Sequence, residues 1–155
     1  MKKLLFVCLG NICRSPAAEG ITDKILSDRG LHSKYQLDSA GTSAYHEGAP
    51  ADGRMMAAAN ERGYNLTSRS RPVRMSDFDD FDYLLAMDEN NFRDLQDLAK
   101  TDEHSKKVIL ITDYCKIHDR RGIPDPYYGA ADGFNYVIDL LEDACGELIS
   151  QLESH

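Results

Sequence analysis

Short apolar runs alternate along this chain with longer segments in which apolar residues recur every three or four positions. Residues 4–7 form the first apolar run, which is typical of a short buried strand. Apolar residues at helical spacing follow, and Gly30 ends the pattern, so a helix is predicted over residues 16–29. Ser15 before Pro16 fits a helix N-cap followed by the first helical residue.

The rest of the chain repeats this alternation of strand and helix. Further strands are predicted over residues 35–40, 81–87 and 108–111, and further helices over residues 53–62 and from an Asp88 cap to about residue 99. The last helix is the clearest, because an apolar stripe at helical spacing runs from Phe134 to Leu152. Strands that alternate with helices predict an α/β fold, with four parallel strands and helices on both faces of the sheet.

Residues 1–155 are predicted to form a single domain, since the chain is long enough for one core and shows no repeat or linker. Ligands of such open parallel sheets bind beyond the carboxyl ends of the strands. The segment after the first strand is therefore the first candidate for a functional site.

Eight residues lead from the first strand into the first helix, in the order Cys8-Leu9-Gly10-Asn11-Ile12-Cys13-Arg14-Ser15. A loop in this position points backbone N–H groups at one spot, next to the positive end of the helix. The planar guanidinium of Arg14 adds donors that suit a phosphate, and these positive surroundings favour the thiolate form of Cys8. The sequence therefore predicts a phosphate-binding loop between the first strand and the first helix, with a nucleophile at its base.

A second informative segment, Asp125-Pro126-Tyr127-Tyr128-Gly129, comes after the fourth strand and is predicted to lie at the same edge of the sheet. Cleavage of a phosphomonoester requires a proton for the departing oxygen, and Asp125 is predicted to supply it as a general acid. Tyr127 and Tyr128 are predicted to form walls of a deep cleft and to stack on an aromatic ring of the substrate.

The composition narrows the classes of partner and cofactor. A formal net charge of -8 argues against nucleic acid or an anionic membrane surface as the main partner. No apolar run has the length of a membrane span or a signal peptide, and the four cysteines are expected to be reduced, so a cytoplasmic location is predicted. The five histidines are scattered and lack the spacing of a zinc site, and neither a metal nor an organic cofactor is implied.

These segments resemble the low-molecular-weight protein tyrosine phosphatases, and the resemblance covers essentially the whole chain. It rests on residues 7–16, on Asp38-Ser39-Ala40, on Phe81-Asp82-Tyr83 with Met87-Asp88, and on residues 125–129. The resemblance implies that Cys8 forms a phosphocysteine, that Arg14 holds the phosphoryl oxygens, and that Asp125 acts first as an acid and then as a base for water.

The resemblance also implies roles for residues around the nucleophile. The phosphate-binding and loop-supporting set comprises Leu9, Gly10, Asn11, Ile12, Cys13, Ser15 and Ser39. Within it, Ser15 is expected to donate a hydrogen bond to the Cys8 thiolate, and Asn11 to brace the loop in part through Ser39. Asparagine tolerates left-handed backbone geometry, which is an independent reason for Asn11 there.

Three further expectations come with the family. Tyr45 lies after the second strand, where the family places side chains that contact substrate, so it is predicted as another wall of the cleft. Cys8 and Cys13 are expected to form a reversible disulfide when Cys8 is oxidised. The implied partners are phosphotyrosine-containing proteins, with a tyrosine kinase as a candidate, and the expected oligomeric state is a monomer.

One stretch departs from the family pattern. Many members carry a histidine within the stretch that is residues 66–71 here, where it helps to anchor the loop asparagine, and an approximate alignment places Ser68 at that position. The support of Asn11 from this stretch is therefore left open by the sequence.

Three alternative functions start from the same residues. An arsenate reductase of this fold needs further cysteines for a disulfide relay, and this chain has none between Cys13 and Cys115. A protein arginine phosphatase tends to have threonine where Ile12 stands, and apolar Ile12 suits an aromatic ring. A phosphotyrosine-binding module without catalysis should have lost Cys8 or Asp125, and both are present.

Overall fold

The structure, a computed structural model, describes residues 1–127 and 132–154. The strands are Lys2–Cys8 (β1), Tyr35–Gly41 (β2), Tyr83–Ala86 (β3) and Val108–Leu110 (β4). They form one sheet in the order β2-β1-β3-β4, and every pair is parallel. The helices are Arg14–Asp28 (α1), Gly53–Glu61 (α2), Asp77–Asp80 (α3), Glu89–Leu98 (α4), Asp102–Lys106 (α5) and Asp132–Glu153 (α6). The predicted four-stranded parallel sheet is confirmed.

Side chains of the central strand β1 divide the core into two layers. Successive residues of a strand point to opposite faces of the sheet. Leu4 and Phe6 pack with α1 and α6, whereas Leu5 and Val7 pack with α3 and α4 on the other face. All four side chains are fully buried. Helices therefore cover both faces, as the sequence predicted.

The first helix begins earlier than predicted, at Arg14, and ends at Asp28. Its N-cap residue is Cys13, which makes no capping hydrogen bond through its side chain, so the assignment of Ser15 as N-cap is wrong. The hydroxyl of Ser15 instead lies 3.0 Å from the sulfur of Cys8. The loop thus turns into the helix directly after Ile12, which places Ser15 inside the first helical turn.

The other predicted elements differ from the observed ones by one or two residues at their ends. Strand β3 is shorter than the predicted 81–87 because α3 ends just before Phe81, which packs into the core beside it. The Asp88 cap is confirmed, since its carboxylate accepts a hydrogen bond from the N–H of Asn91 at 2.8 Å. The short helices α3 and α5 were not predicted, because neither is long enough to show a helical period.

The longest helix, α6, packs against α1 and carries the predicted apolar stripe into the core. Neither α6 nor any other helix within residues 1–127 and 132–154 is long and apolar enough to cross a membrane.

Asp143 of α6 anchors the segment that leads from β4 towards Asp125. Its carboxylate accepts hydrogen bonds from the backbone N–H groups of Lys116, Ile117 and His118, and it also contacts Nδ1 of His118, all at 2.9–3.0 Å. Burial by itself raises the pKa of this carboxyl, but the hydrogen bonds outweigh it and lower the pKa to about 2. The ionised form of Asp143 therefore stabilises the folded state.

We expect Asp143→Asn to lower the free energy of unfolding by about 2 kcal/mol at neutral pH. The folded pKa of Asp143 lies below its ordinary value of 3.8, so its contribution is present above that value and is lost as the pH falls towards 2. Urea unfolding of the variant and the wild type over this pH range should show a difference that narrows in acid. A difference that stays constant with pH would contradict this account.

Candidate active site

The loop after β1 lies at the carboxyl edge of the sheet, between β1 and α1. We call residues 8–15 the Cys8 loop. The end of β2 approaches it closely, because a Cβ atom on Gly41 would lie 2.7 Å from the carbonyl oxygen of Leu9. The N–H of Thr42 donates to the carbonyl of Cys8 at 2.9 Å. Glycine at position 41 therefore lets β2 support the start of the loop.

The sulfur of Cys8 is surrounded by hydrogen-bond donors. Cys8 is 2% exposed, and the N–H of Asn11 donates to its Sγ atom at 3.3 Å. Oγ of Ser15 lies 3.0 Å from the same sulfur. Since Ser15 Oγ accepts a hydrogen bond from Nδ2 of Asn11 at 2.8 Å, its own proton is available for the sulfur. The arrangement suits a thiolate.

Asn11 is the turning point of the loop. It is the one residue other than glycine with a positive φ within the described ranges, 55°, which is the left-handed geometry that asparagine tolerates. Its side-chain oxygen accepts a hydrogen bond from the backbone N–H of Arg71 at 3.0 Å. The guanidinium of Arg71 is in turn paired with Asp38 and Asp77, both at 3.0 Å. The conformation of the loop is thus tied to the chain around residue 71.

The predicted hydrogen bond between Asn11 and Ser39 is not made. Nδ2 of Asn11 donates to Ser15, its Oδ1 accepts from the N–H of Arg71, and Oγ of Ser39 has no hydrogen-bond partner among the described residues. Ser39 is buried at the end of β2 and lies beside Glu19 of α1, whose pKa is raised by burial. The prediction of this hydrogen bond was wrong, since the side chain of Asn11 is held by Ser15 and by the N–H of Arg71 instead.

Arg14 is buried, with 2% of its surface exposed, and is held on three sides. Its Nη1 donates to Asp88 at 2.5 Å and to the carbonyl of Ile123 at 3.0 Å, and its Nη2 lies 3.5 Å from Asp125. Burial by itself lowers the pKa of this guanidinium, but the nearby Cys8 and the two carboxylates raise it. Arg14 therefore stays cationic with its fork in a fixed orientation.

The segment that carries Asp125 crosses the end of β3. The N–H of Ile123 donates to the carbonyl of Met87 at 2.6 Å, so this segment lies at the same edge of the sheet as the Cys8 loop. Asp125 accepts a hydrogen bond from the N–H of Tyr127 at 3.0 Å, and about a third of its side chain is exposed. The structure thus brings Asp125 and Cys8 to one cleft, although they lie near opposite ends of the sequence.

A cleft of about 440 Å³ opens above the Cys8 sulfur. Its lining consists of Cys8, Leu9, Gly10, Ile12, Cys13, Arg14, Ser43, Tyr45, His46, Asp125 and Tyr127. The predicted wall residues Tyr45 and Tyr127 are therefore in place, with Tyr45 largely exposed at the rim. Tyr128 lies outside the described residues.

His46 is a wall residue that was not among the predicted walls of the cleft. Its ring lies between Tyr45 and Tyr127, with ring centres 4.8 Å and 5.8 Å away. Its Cδ2 atom lies 3.0 Å from the place where a Cβ atom on Gly10 would be, so the imidazole covers the loop backbone. Sequence spacing gives no signal for this contact, because it forms across three loops.

Arg54 at the start of α2 supports the wall from outside. Its Nη2 donates to the carbonyl of Tyr127 at 3.1 Å, and its guanidinium carbon lies 5.3 Å from the centre of that ring. A salt bridge of 3.0 Å to Asp52 holds the guanidinium in this place. These contacts position Tyr127 beside the cleft.

The second cysteine of the loop, Cys13, is also at the cleft and is 3% exposed. Burial and the neighbouring Asp52 carboxylate raise the pKa of its thiol well above the ordinary range. Cys13 is therefore a thiol at neutral pH. No group of three histidine, cysteine, aspartate or glutamate side chains within the described ranges could hold a metal ion.

Sequence and structure comparisons place the chain among known proteins. The sequence profile of the low molecular weight phosphotyrosine protein phosphatases matches residues 3–155. The chain belongs to this family. A Synechocystis relative, a putative low molecular weight protein-tyrosine-phosphatase, is 49% identical over 150 residues, which are 97% of this chain and 96% of the relative.

Solved structures agree with this assignment. The crystal structure of a protein tyrosine phosphatase from Entamoeba histolytica, with Hepes in its active site, has a TM-score of 0.97 at 50% identity and covers 99% of this chain and 98% of its own. A Drosophila arginine phosphatase has a TM-score of 0.91 at 31% identity, with 98% of each chain covered. The family that the sequence motifs resembled is therefore confirmed.

Proposed function

We propose that this chain is a protein tyrosine phosphatase that hydrolyses phosphotyrosine through a phosphocysteine intermediate. The observation that carries the proposal is the convergence of the Cys8 sulfur, the Arg14 guanidinium and the Asp125 carboxyl on one cleft. These are the three groups that the two chemical steps require: a nucleophile, a clamp for the phosphoryl oxygens and a proton donor.

In the first step, the Cys8 thiolate attacks phosphorus, an S–P bond forms, and the bond from phosphorus to the tyrosine oxygen breaks. Asp125, in its protonated form, donates a proton to the departing oxygen, so that neutral tyrosine leaves. The fork of Arg14, held by Asp88 on its far side, faces the phosphoryl oxygens and stabilises their charge.

In the second step, water replaces the sulfur. Asp125, now a carboxylate, takes a proton from the water, whose oxygen attacks phosphorus while the S–P bond breaks. Inorganic phosphate and the Cys8 thiolate are the products. The donors from Asn11 and Ser15 stabilise this thiolate as a leaving group, as they do before the first step.

The cleft above the loop favours an aromatic phosphoester. Ile12 and the ring of Tyr127 provide apolar contact, and the depth of the Cys8 sulfur requires a side chain long enough to reach it. A seryl phosphate is shorter and has no ring to stack on these walls.

We also propose that residues 1–155 act as one phosphatase domain and that the protein is a monomer in the cytoplasm. Its substrates are phosphotyrosine-containing proteins, whose phosphorylation by a tyrosine kinase it reverses.

The alternatives receive less support. A protein arginine phosphatase shares the fold, and the likeness to the Drosophila protein implies that the substrate difference is decided within the cleft. Ile12 stays the feature that favours an aromatic ring. An arsenate reductase would need a relay from Cys8 to further cysteines, but Cys145 is buried within α6 and Cys115 contacts Leu140 of the same helix.

A panel of phosphorylated peptides tests the proposal. We expect phosphotyrosine peptides to have the highest kcat/KM, ahead of phosphoserine and phosphoarginine peptides of the same sequence, and Cys8→Ser to abolish turnover of all of them while remaining folded. A folded Cys8→Ser variant with normal turnover would refute the mechanism. A higher kcat/KM for phosphoarginine would instead show that Ile12 and the tyrosine walls have been misinterpreted.

The role of Asp125 as general acid is tested by comparing substrates whose leaving groups differ in their need for a proton. Asp125→Asn removes the proton donor but keeps the shape of the side chain, so a phosphotyrosine peptide should lose roughly 10²–10⁴ in kcat. An activated phenol such as p-nitrophenol leaves with little protonation, and its phosphate ester should lose much less. Equal losses for both substrates would contradict the role of Asp125.

We further propose that Cys13 protects Cys8 during oxidation, as the family resemblance implies. Oxidation of the Cys8 thiolate by peroxide gives a sulfenic acid, and attack by the Cys13 sulfur forms a disulfide with loss of water. Cys13 and Cys8 line the same cleft, which supports this step.

After peroxide treatment, mass spectrometry should show a Cys8–Cys13 crosslink, and a thiol reductant should restore activity. Cys13→Ser should retain activity but recover poorly after the same treatment. If Cys13→Ser recovers as fully as the wild type, Cys13 only packs against the loop.

A further inference from the structure

One peptide group of the Cys8 loop is held from both sides. The carbonyl oxygen of Gly10 accepts a hydrogen bond from Oγ of Ser70 at 2.9 Å. The N–H of Asn11 donates to the sulfur of Cys8 at 3.3 Å. This carbonyl and this N–H belong to the same peptide group, which is planar and rotates as one unit. The Ser70 hydroxyl therefore acts on the direction of the N–H that faces the sulfur.

The hydroxyl of Ser70 is itself delivered from a fixed backbone. The N–H of Ser70 donates to the carbonyl of Ala49, and its carbonyl accepts from the N–H of Gly48, both at 2.8 Å. Ser70 is 4% exposed. The next residue, Arg71, holds the side chain of Asn11 through its own N–H. Ser70 thus links the Cys8 loop to residues 45–49, the segment that contributes Tyr45 and His46 to the wall of the cleft.

We propose that Ser70 is a positioning residue for the nucleophile: its hydroxyl fixes the peptide group between Gly10 and Asn11 so that the N–H stabilises the Cys8 thiolate. Gly10 has no side chain to restrict its backbone, so this peptide group needs an external partner to hold its carbonyl outward. The inference rests on the proposed function, in which Cys8 is the nucleophile.

This role answers the question that the departure at Ser68 left open. Ser68 is half-buried and lines a different cavity, together with Pro16 and Glu19 on another side of α1. Support for the loop comes instead from Ser70 and the N–H of Arg71, two and three residues further along. Ser68 is therefore a matched control, because it is a serine of the same segment with no part in the loop contacts.

The test compares Ser70→Ala with Ser68→Ala and with Ser70→Thr, which restores a hydroxyl. The backbone hydrogen bonds of Ser70 do not need its side chain, so the fold should persist, and the melting temperature checks this. The main readout is the rate at which iodoacetamide alkylates Cys8, measured by peptide mass mapping over a series of pH values. The other charged or titratable residues that line the cleft are the same in all variants: Cys13, Arg14, Tyr45, His46, Asp125 and Tyr127.

We expect Ser70→Ala to alkylate Cys8 about three- to tenfold more slowly at neutral pH, with its pH profile displaced upwards, and to lower kcat by a similar factor. Ser70→Thr should recover most of the rate, and Ser68→Ala should match the wild type. A folded Ser70→Ala variant with the wild-type alkylation profile would overturn the inference, even if kcat fell. Because alkylation does not require hydrolysis, this result is separate from a failure of the proposed phosphatase activity, which the wild type with phosphotyrosine peptides would show.

Discussion

In the proposed mechanism the buried Cys8 sulfur carries a negative charge, so it needs hydrogen-bond donors in place of water, and this constraint shapes the end of β1. The donors are the Asn11 N–H, which the left-handed backbone of Asn11 turns towards Cys8, and the Ser15 hydroxyl from the first turn of α1. Arg14, in the same loop, lines the cleft together with Cys8. The sheet stabilises this loop conformation by bringing the end of β2 and the segment around Arg71 against the outside of the loop.

Periodicity and topology made most of the fold predictable from the sequence. The apolar run of β1 and the apolar stripe of α6 predicted a sheet covered by helices. The spacing of the first matches a buried strand, and that of the second matches a helix with one buried face. Parallel strands also direct the loops at their carboxyl ends to one edge of the sheet, which was enough to bring Cys8 and Asp125 together. The spacing between Cys8 and Arg14 within one loop was the basis for predicting a phosphate-binding site.

The features of the site that could not be predicted depend on contacts between segments that are far apart in the chain. The only structural role predicted for Asp88 was that of a helix cap, and its second role, fixing Arg14, needs the end of β3 to lie beside the loop. Ser39 was assigned to Asn11 by family resemblance, whereas the side chain of Asn11 is held by Ser15 and by the N–H of Arg71. His46 has no periodic signal, since its position depends on the rings on either side of it. Such contacts are set by packing, which a local pattern does not record.

The central claim is that the phosphoryl group passes through Cys8, and trapping the intermediate tests it most directly. The variant in which Asp125 is replaced by alanine should release p-nitrophenol quickly but hydrolyse the intermediate slowly, because water loses its base. Rapid acid quenching followed by peptide mass mapping should then find the phosphoryl group on the Cys8 sulfur. A phosphoryl group on any other residue, or a burst of p-nitrophenol with unmodified Cys8, would contradict the account.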